Sequence, residues 1–152
     1  MAKKHNYQPL KRLVPRQYNF LFLLHEKREL ETHYDFLKCQ IITPSNGKRL
    51  LKAIGHYNQT GVEYVYEVTY DGFNEPNVII ISPSLVKNPP HVYSNDGSLC
   101  LFYPKEQPWS NRNCSVFSHT IPWTHEWILF YEIWKITGTW EHPEVSHGTI
   151  SK

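Results

Sequence analysis

The sequence predicts an α+β domain, a helix at each end of an antiparallel strand meander, and three observations carry that prediction. Residues Gly61 to Asp71 alternate strictly, with Val62, Tyr64, Tyr66, Val68 and Tyr70 on one face and Glu63, Val65, Glu67 and Thr69 on the other. Val78-Ile79-Ile80-Ile81 is a β-branched run stopped by Pro83. Trp127, Phe130, Tyr131 and Trp134 recur at i, i+3, i+4 and i+7, the period of a helix face.

The first helix is expected from about Pro15 to Glu31. Pro15 suits a first helical turn, and Tyr18, Leu21, Phe22 and His25 follow at helical spacing. Phe36 to Ile42 alternates, with Leu37, Cys39 and Ile41 on one side. Pro44-Ser45-Asn46-Gly47 then supplies turn chemistry before Leu50 to Ile54, so the two segments read as a hairpin. Gly61 to Asp71 is the third strand, closed by Asp71-Gly72. The run at 78–81 reads as a fourth strand buried on both faces.

After Pro83 the pattern changes. Pro89-Pro90 stiffens an extended backbone and Ser94-Asn95-Asp96-Gly97 makes a turn, so this stretch is expected to be a positioned surface loop. The last helix is expected to begin near Pro122, with Thr124 as N-cap and Glu126 in the first turn, and to end at Gly138. Ile128, Leu129, Ile133 and Ile136 fill much of its remaining circumference, so it is expected to be largely buried core, its aromatic stripe packing rather than cofactor binding.

Length and charge bound the rest. A chain of 152 residues holds one domain, placed at 15–152 behind a basic tail at 1–14. Lys3, Lys4, Lys11, Arg12 and Arg16 give the first twenty residues +5, and 11 bases against 14 acids leave the remainder at −3. The arm lacks the interleaved aromatics that stack single-stranded bases, so a solvated tail is expected rather than a nucleic-acid interface. No apolar run approaches the roughly 20 residues of a membrane-spanning helix, and Phe20–Leu24 is too short for a secretory signal. Three cysteines, an odd number with no Cys-x-x-Cys pair, exclude a complete disulfide framework and point to a reducing cytoplasm.

Each thiol then needs its own account. Cys39 shares a strand face with Leu37 and Ile41 and reads as a small buried hydrophobe. Cys114, in Asn111-Arg112-Asn113-Cys114-Ser115, reads as an incidental loop thiol. Cys100 follows the stiff loop within Leu99-Cys100-Leu101, where the leucines anchor the backbone and the turn keeps the thiol near the surface. A free thiol with the ordinary pKa of roughly 8.5 is a few per cent thiolate at neutral pH, and that fraction is strongly nucleophilic. Acyl transfer at Cys100 would also need an oxyanion donor, for which His91, Asn95 and the backbone N–H groups of the turn are local candidates. On spacing alone a structural Cys100 is as good a reading as a catalytic one.

The stretch Pro90-His91-Val92-Tyr93-Ser94-Asn95-Asp96-Gly97-Ser98-Leu99-Cys100-Leu101 resembles the active-site segment of ubiquitin-conjugating enzymes, where a His-Pro-Asn triplet leads through a Gly-containing turn to a catalytic Cys-Leu. Trp109-Ser110 is similar to the Trp-Ser that follows. A closer resemblance is to the bacterial branch found in cyclic-oligonucleotide-based antiphage signalling (CBASS) operons. Tyr66 to Tyr70, Pro76-Asn77-Val78, Pro83-Ser84-Leu85, Thr120-Ile121-Pro122-Trp123, Glu126-Trp127, Tyr131-Glu132-Ile133-Trp134, Thr137-Gly138-Thr139-Trp140, Glu144 and His147 are similar to its landmarks.

The resemblance implies a ubiquitin-conjugating (UBC) fold and a thioester on Cys100. It also implies a partner, a cGAS/DncV-like nucleotidyltransferase whose C-terminus is conjugated to an amine, priming second-messenger synthesis. No Gly-rich ATP loop is visible, so no cofactor is expected and any activating enzyme should be a separate chain or absent. One departure matters: Val92 and Tyr93 follow His91, so the Pro and the oxyanion-stabilising Asn of the triplet are missing; either His91 or the turn backbone does that work or the reaction differs, and a histidine that only pins the loop through a backbone hydrogen bond is an equal reading. Two other readings stand beside this one. The first is a non-catalytic UBC-fold module that docks a partner C-terminus. The second is a zinc hydrolase built on three of His119, His125, His142 and His147, against which the i, i+4 spacing of paired helical ligands is missing.

Overall fold

Residues 15–101 and 108–142 are described by the structure, a computed structural model. The basic tail at 1–14, and Glu144 and His147, lie outside the described residues. Helix α1 runs over Pro15–His33. Its buried stripe is Leu23, Glu26 and Leu30, while Leu21 and His25 face solvent, so the packed face is offset by one position from the one the spacing suggested. Tyr34 ties off the helix end, its hydroxyl donating to the Phe117 carbonyl at 2.9 Å.

Four strands follow as a meander, β1 (Leu37–Ile42), β2 (Leu50–Tyr57), β3 (Tyr64–Tyr70) and β4 (Asn77–Ser82), each antiparallel to the next. The β1–β2 turn closes through Gly47, which sits at φ 76 and donates to the Pro44 carbonyl at 2.9 Å. Alternation decides the inner face. Leu51 and Ala53 of β2, Tyr64, Tyr66, Val68 and Tyr70 of β3, and Val78 of β4 are buried there, against Leu23 and Leu30 of α1. Gly55 pairs with Tyr66 in register, and a Cβ at Gly55 would lie 2.3 Å from Tyr66 Cζ, so the missing side chain is what lets the tyrosine ring lie over β2.

The fourth strand corrects the expectation of burial on both faces. Val78 is buried, but Ile79 and Ile81 are 41% and 51% exposed. Four β-branched residues in a row cannot say which faces are covered. The helices decide it, since Val78 is on the face that packs with Leu23, Leu30, Trp127 and Ile128 in the core.

The second helical segment starts with one π-type turn, Val116–Thr120, and continues as helix α2 over Ile121–Thr137. Ser115 is the N-cap, its hydroxyl accepting the Ser118 N–H at 3.0 Å. Thr124, expected in that role, instead lies inside α2, buried and donating to the Thr120 carbonyl at 2.7 Å. Gly138 ends α2 at φ 75, as expected, and donates to the Trp134 carbonyl at 2.7 Å. Trp127, Ile128 and Tyr131 are core, but Leu129 is 43% and Ile136 is 85% exposed, so α2 packs by one face and is not enclosed.

Candidate active site

The geometry around Cys100 starts from a turn. Gly97, at φ 75, donates to the Tyr93 carbonyl at 2.8 Å, and Asp96 accepts both the backbone N–H (2.9 Å) and the hydroxyl (2.6 Å) of Ser98. The Ser98 hydroxyl, and then its N–H, hold the Asp96 carboxyl below the usual carboxylate range. This fixes a small hairpin. Val92 bridges Leu99, Tyr93 N–H donates to the Ser98 carbonyl at 2.8 Å, and Cys100 N–H donates to the His91 carbonyl at 2.8 Å. The register therefore sets His91 directly opposite Cys100. A further bond from Leu99 N–H to the Val78 carbonyl, 2.8 Å, hangs the hairpin on β4.

Cys100 is 3% exposed, which corrects the expectation of a thiol near the surface. The flanking leucines do anchor the backbone, but Leu99 is bonded into the sheet, and Ser98, Leu99 and Cys100 are buried together. His91 lies at φ 56, in the left-handed region that histidine tolerates better than most residues. Its imidazole lies against the Trp140 ring, centroids 4.6 Å apart and planes at 36°, and its carbonyl also accepts the Trp127 indole N–H at 3.1 Å. Asn95, the other side-chain candidate for an oxyanion donor, is exposed at the turn tip. Trp109 packs edge-on against Tyr70 at 5.5 Å, at the margin of the core.

The other two thiols have different surroundings. Cys39 is half-buried on the same face of β1 as Leu37 and Ile41, and burial, with Glu31 nearby, pushes its thiol up to about 11. Cys114 follows a turn, as expected of a loop thiol, but it is only 8% exposed, because its N–H bonds back to the Ser110 carbonyl at 2.7 Å and Val116 beside it enters the core.

The histidines disperse. His125 is packed among Phe36, Tyr57 and Tyr66, with Nε2 2.7 Å from the Tyr66 hydroxyl, and burial lowers its pKa to about 4. The His119 ring nitrogen accepts the Ser115 N–H at 3.2 Å, and His142 pairs with Glu126 at 3.1 Å. Among the described residues, no group of three His, Cys, Asp or Glu side chains is placed to hold a metal ion. His147 lies outside them.

Two contributors go beyond what the sequence pattern indicates. Trp127 packs as its stripe suggests but also donates to the His91 carbonyl, and nothing in a helical stripe says where an indole N–H goes. Glu26, buried at 4%, accepts the N–H groups of Val116 and Phe117. A signal did exist for it, a carboxylate at i+3 from Leu23 and four residues before Leu30 on one stripe.

A family model described as Type II CBASS E2 protein matches residues 26–148. The chain belongs to that family. The matched span contains His91, Cys100, the whole sheet and α2. No curated protein matches the chain. As a CBASS E2 the protein works with the other components of such a system. No helix among the described residues of this E2 is long and apolar enough to cross a membrane.

Proposed function

We propose that this CBASS E2 is a UBC-fold acyltransferase, a single domain from residue 15 onward, that carries the C-terminus of a cGAS/DncV-like nucleotidyltransferase as a thioester on Cys100 and passes it to an amine. The observation that supports this most is the hairpin, which fixes the Cys100 backbone from two sides and sets it opposite His91.

The chemistry runs in two steps. The Cys100 thiolate attacks the activated carboxyl carbon of the partner's C-terminus, its S–C bond forms, and the activating group leaves with the bonding pair. The carboxyl reaches this domain already activated. An amine then attacks the thioester carbon, a tetrahedral oxyanion forms, and the C–S bond breaks to return the thiolate as the nitrogen loses its proton. His91, opposite Cys100, is the proposed donor to that oxyanion, in the role left open by the missing asparagine. The burial of Cys100 shelters a thioester from water, and the donor must uncover the thiol to reach it.

Intact mass spectrometry of the E2 co-expressed with its operon neighbours, with and without reductant, tests the reading. A reductant-labile adduct is expected in the wild type, in Cys39→Ala and in Cys114→Ala, and none in Cys100→Ala. The same adduct in Cys100→Ala would remove Cys100 as nucleophile, and undiminished operon protection by that variant would favour a docking module.

A further inference from the structure

We propose that Trp127 is a positioning residue for the Cys100 reaction, its indole N–H holding the same His91 carbonyl that receives the Cys100 amide. This rests on the thioester reading for its consequence in catalysis, but its geometric part stands without any partner.

His91 is held at φ 56, and a non-glycine residue stays there only where its surroundings over-determine it. Those surroundings are specific. The His91 carbonyl accepts Cys100 N–H at 2.8 Å and Trp127 Nε1–H at 3.1 Å, which uses both of its lone pairs. The imidazole rests on Trp140, whose ring centroid lies 5.9 Å from that of Trp127.

One helical turn after Trp127, the Tyr131 hydroxyl accepts the N–H of Val86 at 2.9 Å, and the two rings stack at 5.0 Å with planes 12° apart. Two stacked rings on one face of α2 therefore pin both ends of the segment 86–91, which Pro89 and Pro90 already stiffen. The opposite strand of the hairpin is tied to β4 through Leu99. The Cys100 backbone thus hangs between the sheet on one side and α2 on the other, and Trp127 is the α2 attachment.

Packing alone does not require that donor. Trp127 is 3% exposed and its ring fills core space, which another aromatic ring would largely fill. The N–H is a separable function, and Trp127→Phe deletes it while keeping a ring on Tyr131.

The readout is site-resolved alkylation of the folded protein by iodoacetamide, each cysteine quantified by peptide mass spectrometry. Released from its pin, the hairpin opens locally, so Cys100 alkylation in Trp127→Phe should rise at least about fivefold while Cys39 and Cys114 keep their wild-type rates. Conjugation should move the other way, kcat for adduct formation falling about 10- to 100-fold with KM for the activated donor little changed, because misplacing the nucleophile harms the chemical step. Should Trp127→Phe not fold, Tyr131→Phe releases the Val86 end by losing one hydroxyl, and its expected effect is a smaller, Cys100-selective rise. Unchanged Cys100 alkylation, or a parallel rise at all three thiols, overturns the proposal. A wild-type protein that never forms an adduct would overturn the thioester reading, and the alkylation pattern would still decide the clamp.

Discussion

Glu26 on α1 accepts the backbone N–H of Val116 at 2.9 Å, and that of Phe117 at 3.3 Å, across 90 residues of sequence. These are orphan N–H groups at the start of the segment that becomes α2, so a buried side chain of one helix satisfies the first turn of the other. Glu26→Ala leaves a buried donor and a part-buried one unpaired and should cost about 2–3 kcal/mol of unfolding free energy, and Glu26→Gln, which keeps one acceptor and the volume, about half of that. Urea denaturation measures both. Equal stability of Glu26→Ala and wild type would mean that the bond carries nothing.

The same carboxyl has a pH signature. Burial raises its pKa above the ordinary 4.5, ahead of the two backbone hydrogen bonds that lower it. A raised folded pKa means that the folded state binds the proton more tightly, so the contribution is complete below the unfolded value and is lost as pH rises through the folded one. Wild type should therefore gain on Glu26→Gln as pH falls from 7 towards 4.5. A gap that is constant, or that shrinks over that range, contradicts the burial argument.

His125 has the opposite sign. Its pKa is lowered to about 4 by burial among Phe36, Tyr57 and Tyr66, so the unfolded chain binds a proton that the folded protein refuses. Stability from this group is present above the unfolded value of 6.5 and is lost as pH falls through the folded one. The loss should be on the order of 2 kcal/mol once partial exposure is allowed for. His125→Gln should flatten the decline between pH 6.5 and 4. An identical acid slope in that variant would assign the decline to other groups.

These two groups show where sequence reading stops. Alternation located β3, because every second residue from Tyr64 to Tyr70 is buried and the signal is local. Which sides of β4 are covered depends on the face against which the helices pack, a property of the assembled domain that Val78-Ile79-Ile80-Ile81 does not carry. The burial of Cys100 likewise comes from Leu99 bonding to Val78, a long-range pairing, whereas the turn at Ser94–Gly97 was legible from its own residues. The opposition of His91 and Cys100 lies between. Their nine-residue separation around a Gly-containing turn suggests it, but only the Val92–Leu99 bridge fixes the register.

Gly55 gives a prediction about packing. A methyl group there would sit 2.3 Å from Tyr66 Cζ and 2.6 Å from its hydroxyl oxygen, and the ring cannot swing away because Tyr66 is fully buried and bonded to His125. Gly55→Ala should cost about 3 kcal/mol or more, read as a fall in denaturation midpoint, at the upper end of what overpacking usually costs. Pairing it with Tyr66→Leu should return part of that loss, since the clash is with that ring alone among the nearest atoms. If the double variant is no better than the sum of the singles, the ring is not the obstacle.

His91 separates backbone from side chain most cleanly, because its φ of 56 sorts substitutions by what they can tolerate. Glycine accepts that conformation freely but offers no side-chain donor, asparagine accepts it tolerably and offers an amide N–H, and alanine offers neither. If the imidazole donates to the oxyanion, His91→Gly should retain wild-type stability yet transfer about 100-fold more slowly, the usual cost of losing one oxyanion donor. His91→Asn should keep transfer within about tenfold of wild type, since an amide N–H can take the same place. If the role is instead to shape the backbone, the order reverses: His91→Gly transfers normally and His91→Ala is slow in proportion to its lost stability. Measuring single-turnover transfer and denaturation midpoint on the three variants together distinguishes the two, and a fast His91→Gly variant would move the oxyanion role to the turn backbone.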